Sequence, residues 1–274
     1  MDTKRKIILS LAPVPGASES IYPQGLAAEI VEAAQAGAGM VHLHVKGRDG
    51  KLTDSLDTFR EVVEGVCAWS DIVIQASTGG VSSMDIRQRC APLSYSRVET
   101  ASLNPGSVNL GRLVYQNPDD DVKYCVKEIY RHGILPEIEC FELGMIHRVT
   151  ELTQELPFRR PVLYNIVLGH PCTTPATVEH LVAMRSFIPK DAMWGITHFG
   201  RKGYDILIAA VAMGASLVRI GFEDSVFDGE EPAKDNVTLV RRMAEIIRCM
   251  GHEPAAPEEV REILRLREIK RIPE

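Results

Sequence analysis

Short runs of apolar and β-branched residues alternate with stretches of helical spacing along almost the whole chain. Runs of about four to eight such residues are typical of buried strands. Between them, apolar residues recur every three or four positions, as Leu56, Phe59 and Val63 do, which predicts amphipathic helices. Strict alternation indicates parallel strands joined by right-handed crossovers. The predicted strands are Ile7–Ala12, Met40–Val45, Asp71–Thr78, Val98–Leu103, Pro136–Glu142, Val162–Leu168, Met193–Phe199 and Leu217–Glu223.

The number of strand–helix units decides between the two common parallel architectures. Eight units take up nearly all of the 274 residues, and an α/β barrel typically needs about 250 residues. We therefore expect an α/β protein with a closed (β/α)8 TIM barrel rather than an open doubly wound sheet. We also expect residues 1–274 to form a single domain, with an extra C-terminal helix at Pro257–Leu266.

The charge balance excludes some classes of partner. The chain has 31 Lys and Arg against 37 Asp and Glu, a net charge of −6 at pH 7. Such a chain is not expected to bind nucleic acid or an anionic membrane surface. No stretch approaches the roughly 18 consecutive apolar residues of a membrane-spanning helix.

Cysteine spacing and the first residues both indicate a cytoplasmic protein. The cysteines form no Cys-x-x-Cys pair and no framework, which is typical of reduced thiols in a chain of this size. The basic start precedes an apolar run that Pro13 and Pro15 interrupt, so it predicts a first strand rather than a secretion signal. The six cysteines are Cys67, Cys90, Cys125, Cys140, Cys172 and Cys249.

The second predicted strand carries two histidines on one face. It reads Val41-His42-Leu43-His44-Val45. The aliphatic residues suit the side that packs on helices, so we expect His42 and His44 to point into the barrel. At about 3.3 Å per residue they lie about 6.6 Å apart, from where two imidazoles can converge on one metal ion. The alternative is a pair of hydrogen-bonded core histidines, but barrel enzymes place their chemistry at this end of the strands.

The eighth predicted strand adds a guanidinium and a carboxylate. Its alternation places Arg219 and Glu223 on the inner face, where both are costly unless paired or coordinated. A structural ion pair between them is one explanation. Because the barrel closes near the histidines, Glu223 is also a candidate third metal ligand. Two histidines, one carboxylate and an open position suit catalytic zinc, with iron as second choice. Arg219 can hold a substrate carboxylate, and Asp224 at the rim is a candidate base.

Other strand ends offer polar groups at the same depth. The third strand ends in hydroxyls and a Gly-Gly turn that can cradle a carboxylate, although Gly-Gly after a strand is often only a turn. His198 shares a face with Trp194 and Ile196, so we expect it to support the ligands or lie in the core. The candidate substrate-binding residues are Ser77, Thr78, Gly79, Gly80, Ser102, Asn104 and Glu139.

Several segments in a fixed order identify a resemblance that covers nearly the whole chain. They are Val41-His42-Leu43-His44, Ser77-Thr78-Gly79-Gly80, Ser102-Leu103-Asn104-Pro105-Gly106-Ser107-Val108-Asn109, Pro136-Glu137-Ile138-Glu139, Phe141-Glu142-Leu143-Gly144-Met145, Gly200-Arg201 and Val218-Arg219-Ile220-Gly221-Phe222-Glu223-Asp224. Together they resemble the β-keto acid cleavage enzyme family, zinc-dependent (β/α)8 acyltransferases.

The resemblance implies a reaction and a role for each matching residue. A β-keto acid and acetyl-CoA would give acetoacetate and the CoA ester of the remaining acyl group, by a retro-Claisen-type exchange. His42, His44 and Glu223 would bind zinc, while Arg219 and Asp224 would be the catalytic pair. The family also implies a homo-oligomer, either a dimer or a tetramer.

The chain departs from the family around the expected site. After the first strand it has Val14-Pro15-Gly16-Ala17 and a shorter Ser18–Gln24, where relatives usually have a Thr-Gly turn and a longer loop. The segment Lys46-Gly47-Arg48-Asp49 is altered, and Ser225 replaces a common Asn. These loops overhang the expected site and therefore bear on which substrate it accepts.

Three other functions use part of the same residue set. A metal-dependent aldolase or other carbon–carbon lyase needs the same site but no CoA. A metal-dependent amidohydrolase usually carries His-x-His on its first strand, with further histidines. A metal-containing sensor of small acids needs the ligands but no base, so the presence of both Arg219 and Asp224 argues against it.

Overall fold

Eight parallel strands close into a barrel in the computed structural model, which describes residues 4–16 and 20–268. Each strand pairs with the next, and the last pairs with the first from Ile8↔Leu217 to Leu11↔Ile220. The predicted (β/α)8 TIM barrel is confirmed, while one domain over residues 1–274 stays a prediction. The strands are β1 Lys6–Leu11, β2 Met40–Leu43, β3 Val73–Ala76, β4 Val98–Leu103, β5 Leu135–Cys140, β6 Leu163–Leu168, β7 Met193–His198 and β8 Leu217–Ile220.

Nine helices surround the barrel in the described part of the chain. The third is a single turn held by a capping box between Asp85 and Gln88, and it lies where apolar spacing is weakest in the sequence. The predicted C-terminal helix ends at Ile263, and a 3₁₀ turn follows at Leu266–Glu268. The helices are α1 Pro23–Ala36, α2 Asp57–Cys67, α3 Ile86–Arg89, α4 Asp119–Arg131, α5 Leu143–Glu155, α6 Val178–Phe187, α7 Asp205–Ala212, α8 Asn236–Cys249 and α9 Pro257–Ile263.

The N-terminal ends of the strands are sealed by apolar side chains. One buried cluster joins inward residues of six strands to α9 and its flanks, so this end is a packed floor rather than an opening. The cluster contains Ile8, Met40, Val73, Leu135, Leu163, Leu217, Ala255, Val260, Leu264 and Leu266. A short strand, Glu253–Pro254, pairs with the start of β1 and leads the chain across this floor.

Two hairpins lie after the C-terminal ends of β4 and β8. The first joins Val108–Leu110 to Leu113–Tyr115, and the second joins Phe227–Asp228 to Glu231–Pro232. Strand β8 ends earlier than predicted because Gly221, at φ 144°, turns the chain. An added Cβ there would lie 2.1 Å from the Ala12 carbonyl oxygen, so only glycine fits.

No helix within residues 4–16 and 20–268 has the length and apolar character needed to cross a membrane.

The packing of the floor cluster predicts that a cavity there lowers the free energy of unfolding. Leu264 is fully buried in the floor cluster, so we expect Leu264→Ala to lower the free energy of unfolding by about 2–5 kcal/mol. Chemical denaturation measures this, with the exposed Glu262→Ala as a control expected to stay within about 0.5 kcal/mol. A Leu264→Ala protein as stable as the control would contradict the packing described.

Candidate active site

Three side chains converge at the C-terminal end of the barrel. The Nε2 atom of His44 lies 3.2 Å from Glu223 Oε1, and that of His42 lies 3.7 Å from the same oxygen. One donor atom from each of the three falls within 4.8 Å of the others. His42 belongs to β2, while His44 and Glu223 follow the ends of β2 and β8. The sequence predicted this group, and the fold brings it together.

Local backbone geometry puts these side chains in place. Val41 and Leu43 pack in the core cluster shared with the helices, so His42 between them faces the barrel interior. On the other strand, the turn at Gly221 directs the chain back toward β1, where the Glu223 amide donates to the Ala12 carbonyl at 3.1 Å. Alternation on one strand and a glycine turn on the other therefore position the cluster.

A buried hydrogen-bond chain orients His42. Gln75 Oε1 lies 2.6 Å from His42 Nδ1, and Gln75 Nε2 donates to Glu137 at 2.7 Å. Asn165 Nδ2 donates to Glu137 at 2.5 Å and to the Thr197 hydroxyl at 3.0 Å. Because Nδ1 is engaged, Nε2 is the atom left to face Glu223. These partners occupy inward positions of four strands, a signal that our sequence reasoning missed.

The donor set fits a divalent metal ion. Burial lowers the pKa of His42 to about 3, which keeps its imidazole neutral. Burial opposes ionisation of Glu223, but His44, His42 and Arg219 outweigh it and lower the pKa of that carboxyl. Within the described residues, Glu223 Oε2 and His44 Nδ1 are buried without a hydrogen-bond partner. The neutral imidazole of His42 and a carboxylate with unused lone pairs are ligands of the kind that a metal ion requires.

Arg219 gathers three carboxylates beside this cluster. It donates to both oxygens of Asp224, at 3.0 and 2.5 Å, to Glu139 at 3.0 Å and to Glu223 at 3.4 Å. Burial works against the charge of Arg219, but the three carboxylates outweigh it and raise its pKa. When all three carboxyl groups are ionised, they outnumber the guanidinium by two, and a bound dication would balance that charge.

Two of these carboxyl groups hold protons more tightly than usual. Burial raises the pKa of Glu139 to about 7, although Arg219 opposes the shift. Burial also raises the pKa of Asp224, again against Arg219. A raised pKa strengthens a carboxylate as a proton acceptor near neutral pH. The site therefore contains basic carboxylates next to the predicted metal ligands.

A cavity of about 120 Å³ opens onto the cluster. Four predicted substrate-binding residues line it, namely Ser77, Gly79, Gly80 and Glu139, as do Arg219 and the three candidate ligands. Four further residues that our sequence reasoning did not assign complete the wall: Leu110, Tyr115, Phe141 and His170. Tyr115 comes from the first hairpin and His170 from the loop after β6, where strand alternation gives no signal.

The remaining candidates lie outside this lining. The Thr78 hydroxyl donates to the Ser102 carbonyl at 2.6 Å, and the Thr78 amide donates to the Ser102 hydroxyl at 3.4 Å. Asn104 is buried, and neither polar atom of its amide has a partner among the described residues. Asp224 is 3% exposed and reaches the cavity wall through Arg219. His198 is also absent from the lining, in keeping with a supporting or core position.

The two altered loops meet beside His44. The buried Lys46 ammonium donates to the carbonyls of Pro15 and Gly16, at 2.8 and 3.2 Å. This contact ties the segment after β1 to the segment after β2. Of the shorter loop predicted from the sequence, residues 17–19 lie outside the described part of the chain.

Comparisons with known proteins agree on one family. The β-keto acid cleavage enzyme family profile matches residues 20–266. The chain is 34% identical over 247 residues to a 3-keto-5-aminohexanoate cleavage enzyme of Fusobacterium nucleatum, covering 88% of this chain and 89% of that protein. It is 33% identical over 238 residues to a 3-oxoadipate:acetyl-CoA acetyltransferase of Cupriavidus necator, covering 85% and 82%.

A solved structure supports the fold. The ternary complex of ObcA with a C4-CoA adduct and oxalate superposes with a TM-score of 0.73, covering 89% of this chain and 67% of that one. The sequence identity is 19%, so this likeness shows the shared barrel and no more.

Metal content tests the ligand cluster. We expect about one divalent ion per purified chain, because three converging donors suffice to hold one. His42→Ala removes a ligand atom and should leave little bound metal in elemental analysis. The matched control is His147→Ala, whose side chain is 76% exposed on α5 and should retain the metal. Stoichiometric metal in His42→Ala would contradict the assignment.

Proposed function

Because the chain belongs to the β-keto acid cleavage enzyme family, we propose that it converts a β-keto acid and acetyl-CoA into acetoacetate and a new acyl-CoA. The observation that carries the proposal is one cavity lined by His42, His44 and Glu223 together with Arg219, whose guanidinium holds Asp224. The name of the Cupriavidus relative includes acetyl-CoA as a substrate, which supports a CoA ester as the second reactant here.

We assign the metal position to zinc, held by His42, His44 and Glu223. Two histidines, one carboxylate and an open position are the ligand set of catalytic zinc sites, and iron is the second choice. When bound, zinc supplies a Lewis acid that polarises the keto and carboxylate oxygens of the substrate. The unused Glu223 oxygen and the neutral His42 ring support this choice.

Asp224 is the proposed base. It removes a proton from the carbon between the keto and carboxylate groups. Burial raises its pKa, which favours proton uptake, and Arg219 fixes both of its oxygens. Since Arg219 lies between Asp224 and the cavity, the substrate must bind beside that guanidinium to reach Asp224. Arg219 is then also placed to hold the substrate carboxylate.

The proposed carbon chemistry balances without another reactant. The carbanion formed by proton loss attacks the acetyl carbonyl, and the CoA thiolate leaves. That thiolate attacks the original keto carbonyl, and the bond between this carbon and the former carbanion carbon breaks. The new acyl-CoA departs, and the acetoacetate carbanion takes back the proton that Asp224 held. Both carbonyl additions pass through an oxyanion that hydrogen-bond donors stabilise.

Substrate binding is proposed for residues around the turn after β3 and the neighbouring strand ends. Ser77, Gly79 and Gly80 line the cavity, and the Ser77 hydroxyl, which accepts from the Gly79 amide at 3.3 Å, is placed to contact a carboxylate or an oxyanion. Glu139 faces them next to Arg219. Thr78 and Ser102 hold this turn through their mutual hydrogen bonds, and Asn104 offers an unpartnered amide at the end of β4.

Two further parts of the proposal concern location and assembly, and only the second rests on the family resemblance. We propose a cytoplasmic location, which the scattered free cysteines support. We also propose a homo-oligomer, a dimer or a tetramer. Neither bears on the chemistry of the cavity.

A substrate panel tests the proposed reaction against a lyase. With acetyl-CoA present, the purified protein should convert at least one β-keto acid into acetoacetate and an acyl-CoA, detected by mass spectrometry. Omitting acetyl-CoA should stop cleavage, because the attacking thiolate comes from that molecule. Equal cleavage without any CoA ester would contradict acyl transfer and favour the lyase.

Replacing the proposed base separates chemistry from metal binding. We expect Asp224→Asn to lower kcat by roughly 100-fold or more, since an amide cannot accept the proton, while metal content stays at the wild-type level. Asp191→Asn, on the surface beside Arg160, is the matched control and should remain active. Wild-type turnover in Asp224→Asn would remove Asp224 from this role.

A further inference from the structure

The hairpin after β4 places Tyr115 in the wall of the cavity. Tyr115 ends the second strand of the hairpin and pairs with Val108. Its side chain is 6% exposed and lines the cavity together with Ser77, Gly79 and Gly80. The candidate metal ligands and the proposed proton transfer by Asp224 do not involve this phenol.

Gly79 leaves the space that the Tyr115 hydroxyl fills. A Cβ added to Gly79 would lie 1.3 Å from the Tyr115 oxygen and 2.3 Å from the ring carbon that bears it. Position 79 therefore requires glycine because a side chain there would occupy the space of the Tyr115 hydroxyl. Since Gly79 lines the cavity, the hydroxyl end of Tyr115 lies at the cavity wall.

Arg89 donates a hydrogen bond to the oxygen of the Tyr115 hydroxyl. Its Nη2 atom lies 3.2 Å from that oxygen. Arg89 itself is held by the carbonyls of Thr78 and Gln116, both at 2.9 Å. An oxygen that accepts from a guanidinium keeps its own O–H for another acceptor.

Within the described part of the chain, no group accepts the proton of the Tyr115 hydroxyl. Burial raises the pKa of Tyr115 to about 12, so the phenol stays protonated at neutral pH. The structure thus holds a fixed O–H donor at the wall of a cavity that also contains Arg219.

We infer that Tyr115 is a catalytic residue whose hydroxyl donates a hydrogen bond to the substrate oxygen that becomes negatively charged. The inference rests on the proposed acyl transfer, in which each carbonyl addition creates such an oxygen. Donors positioned in advance stabilise this charge more than they stabilise the neutral carbonyl. The proton stays on Tyr115 throughout, so the balance of the reaction is unchanged.

Tyr115→Phe tests this role because it keeps the ring beside Arg89 and removes only the hydroxyl. We expect kcat to fall by about 100-fold, the usual loss for one oxyanion donor, and KM to rise by no more than about tenfold, the loss of one hydrogen bond to the keto oxygen before reaction. Tyr130→Phe is the matched control. It removes another buried hydroxyl, which accepts from the Arg159 amide at 3.1 Å outside the cavity, and it should leave kcat unchanged.

Gly79→Ala is a second variant that displaces the hydroxyl and keeps Tyr115. It should also lower kcat, and thermal unfolding checks that both variants fold. A kcat within about threefold of wild type in Tyr115→Phe, or an equal loss in Tyr130→Phe, would overturn the inference.

Ligand binding separates this inference from the proposed function. If the wild type cleaves no β-keto acid, the acyl-transfer proposal fails and calorimetric titration with acetoacetate tests the donor alone. We then expect acetoacetate to bind Tyr115→Phe about tenfold more weakly than wild type, because one hydrogen bond to a charged or polarised oxygen is lost. Equal dissociation constants would overturn the assignment of the donor.

Discussion

The arrangement of this site depends on one buried guanidinium. Arg219, 5% exposed, contacts Asp224, Glu139 and Glu223, which come from the rims of two strands. Three ionised carboxylates could not be buried together without a cation, since each unpaired charge costs several kcal/mol. The same contacts direct Glu223 toward the histidines and keep Asp224 fixed. The proposed metal binding, the proposed proton transfer and the charge balance of the cavity are therefore linked through one side chain.

The part of the site that the sequence predicted is the part that strand alternation determines. On β2 the inward position of His42 follows from its aliphatic neighbours, and the same rule gives Arg219 on β8. Glu223 lies beyond the end of β8, yet the glycine turn at 221 keeps it on the inner side. Position along a barrel strand thus carried most of the information about the three candidate metal ligands.

The site residues that the sequence did not predict are placed there by tertiary contacts. Tyr115 belongs to a hairpin that approaches Gly79, and its hydroxyl accepts a hydrogen bond from Arg89 on α3. The interior amide Gln75 did occupy an inward position, but its role follows only once Glu137 is seen to lie within 2.7 Å. Loop and hairpin residues have no periodicity to read, so their placement needed the three-dimensional structure.

Transfer of the acetyl group is the central claim, and isotope tracing tests it most directly. The protein would be supplied with a β-keto acid and with acetyl-CoA labelled at the acetyl carbonyl carbon. Acyl transfer by the proposed route predicts the label at the keto carbon of acetoacetate and none in the new acyl-CoA. Label that stays in acetyl-CoA or appears only in acetate, while the β-keto acid is cleaved, would contradict the account.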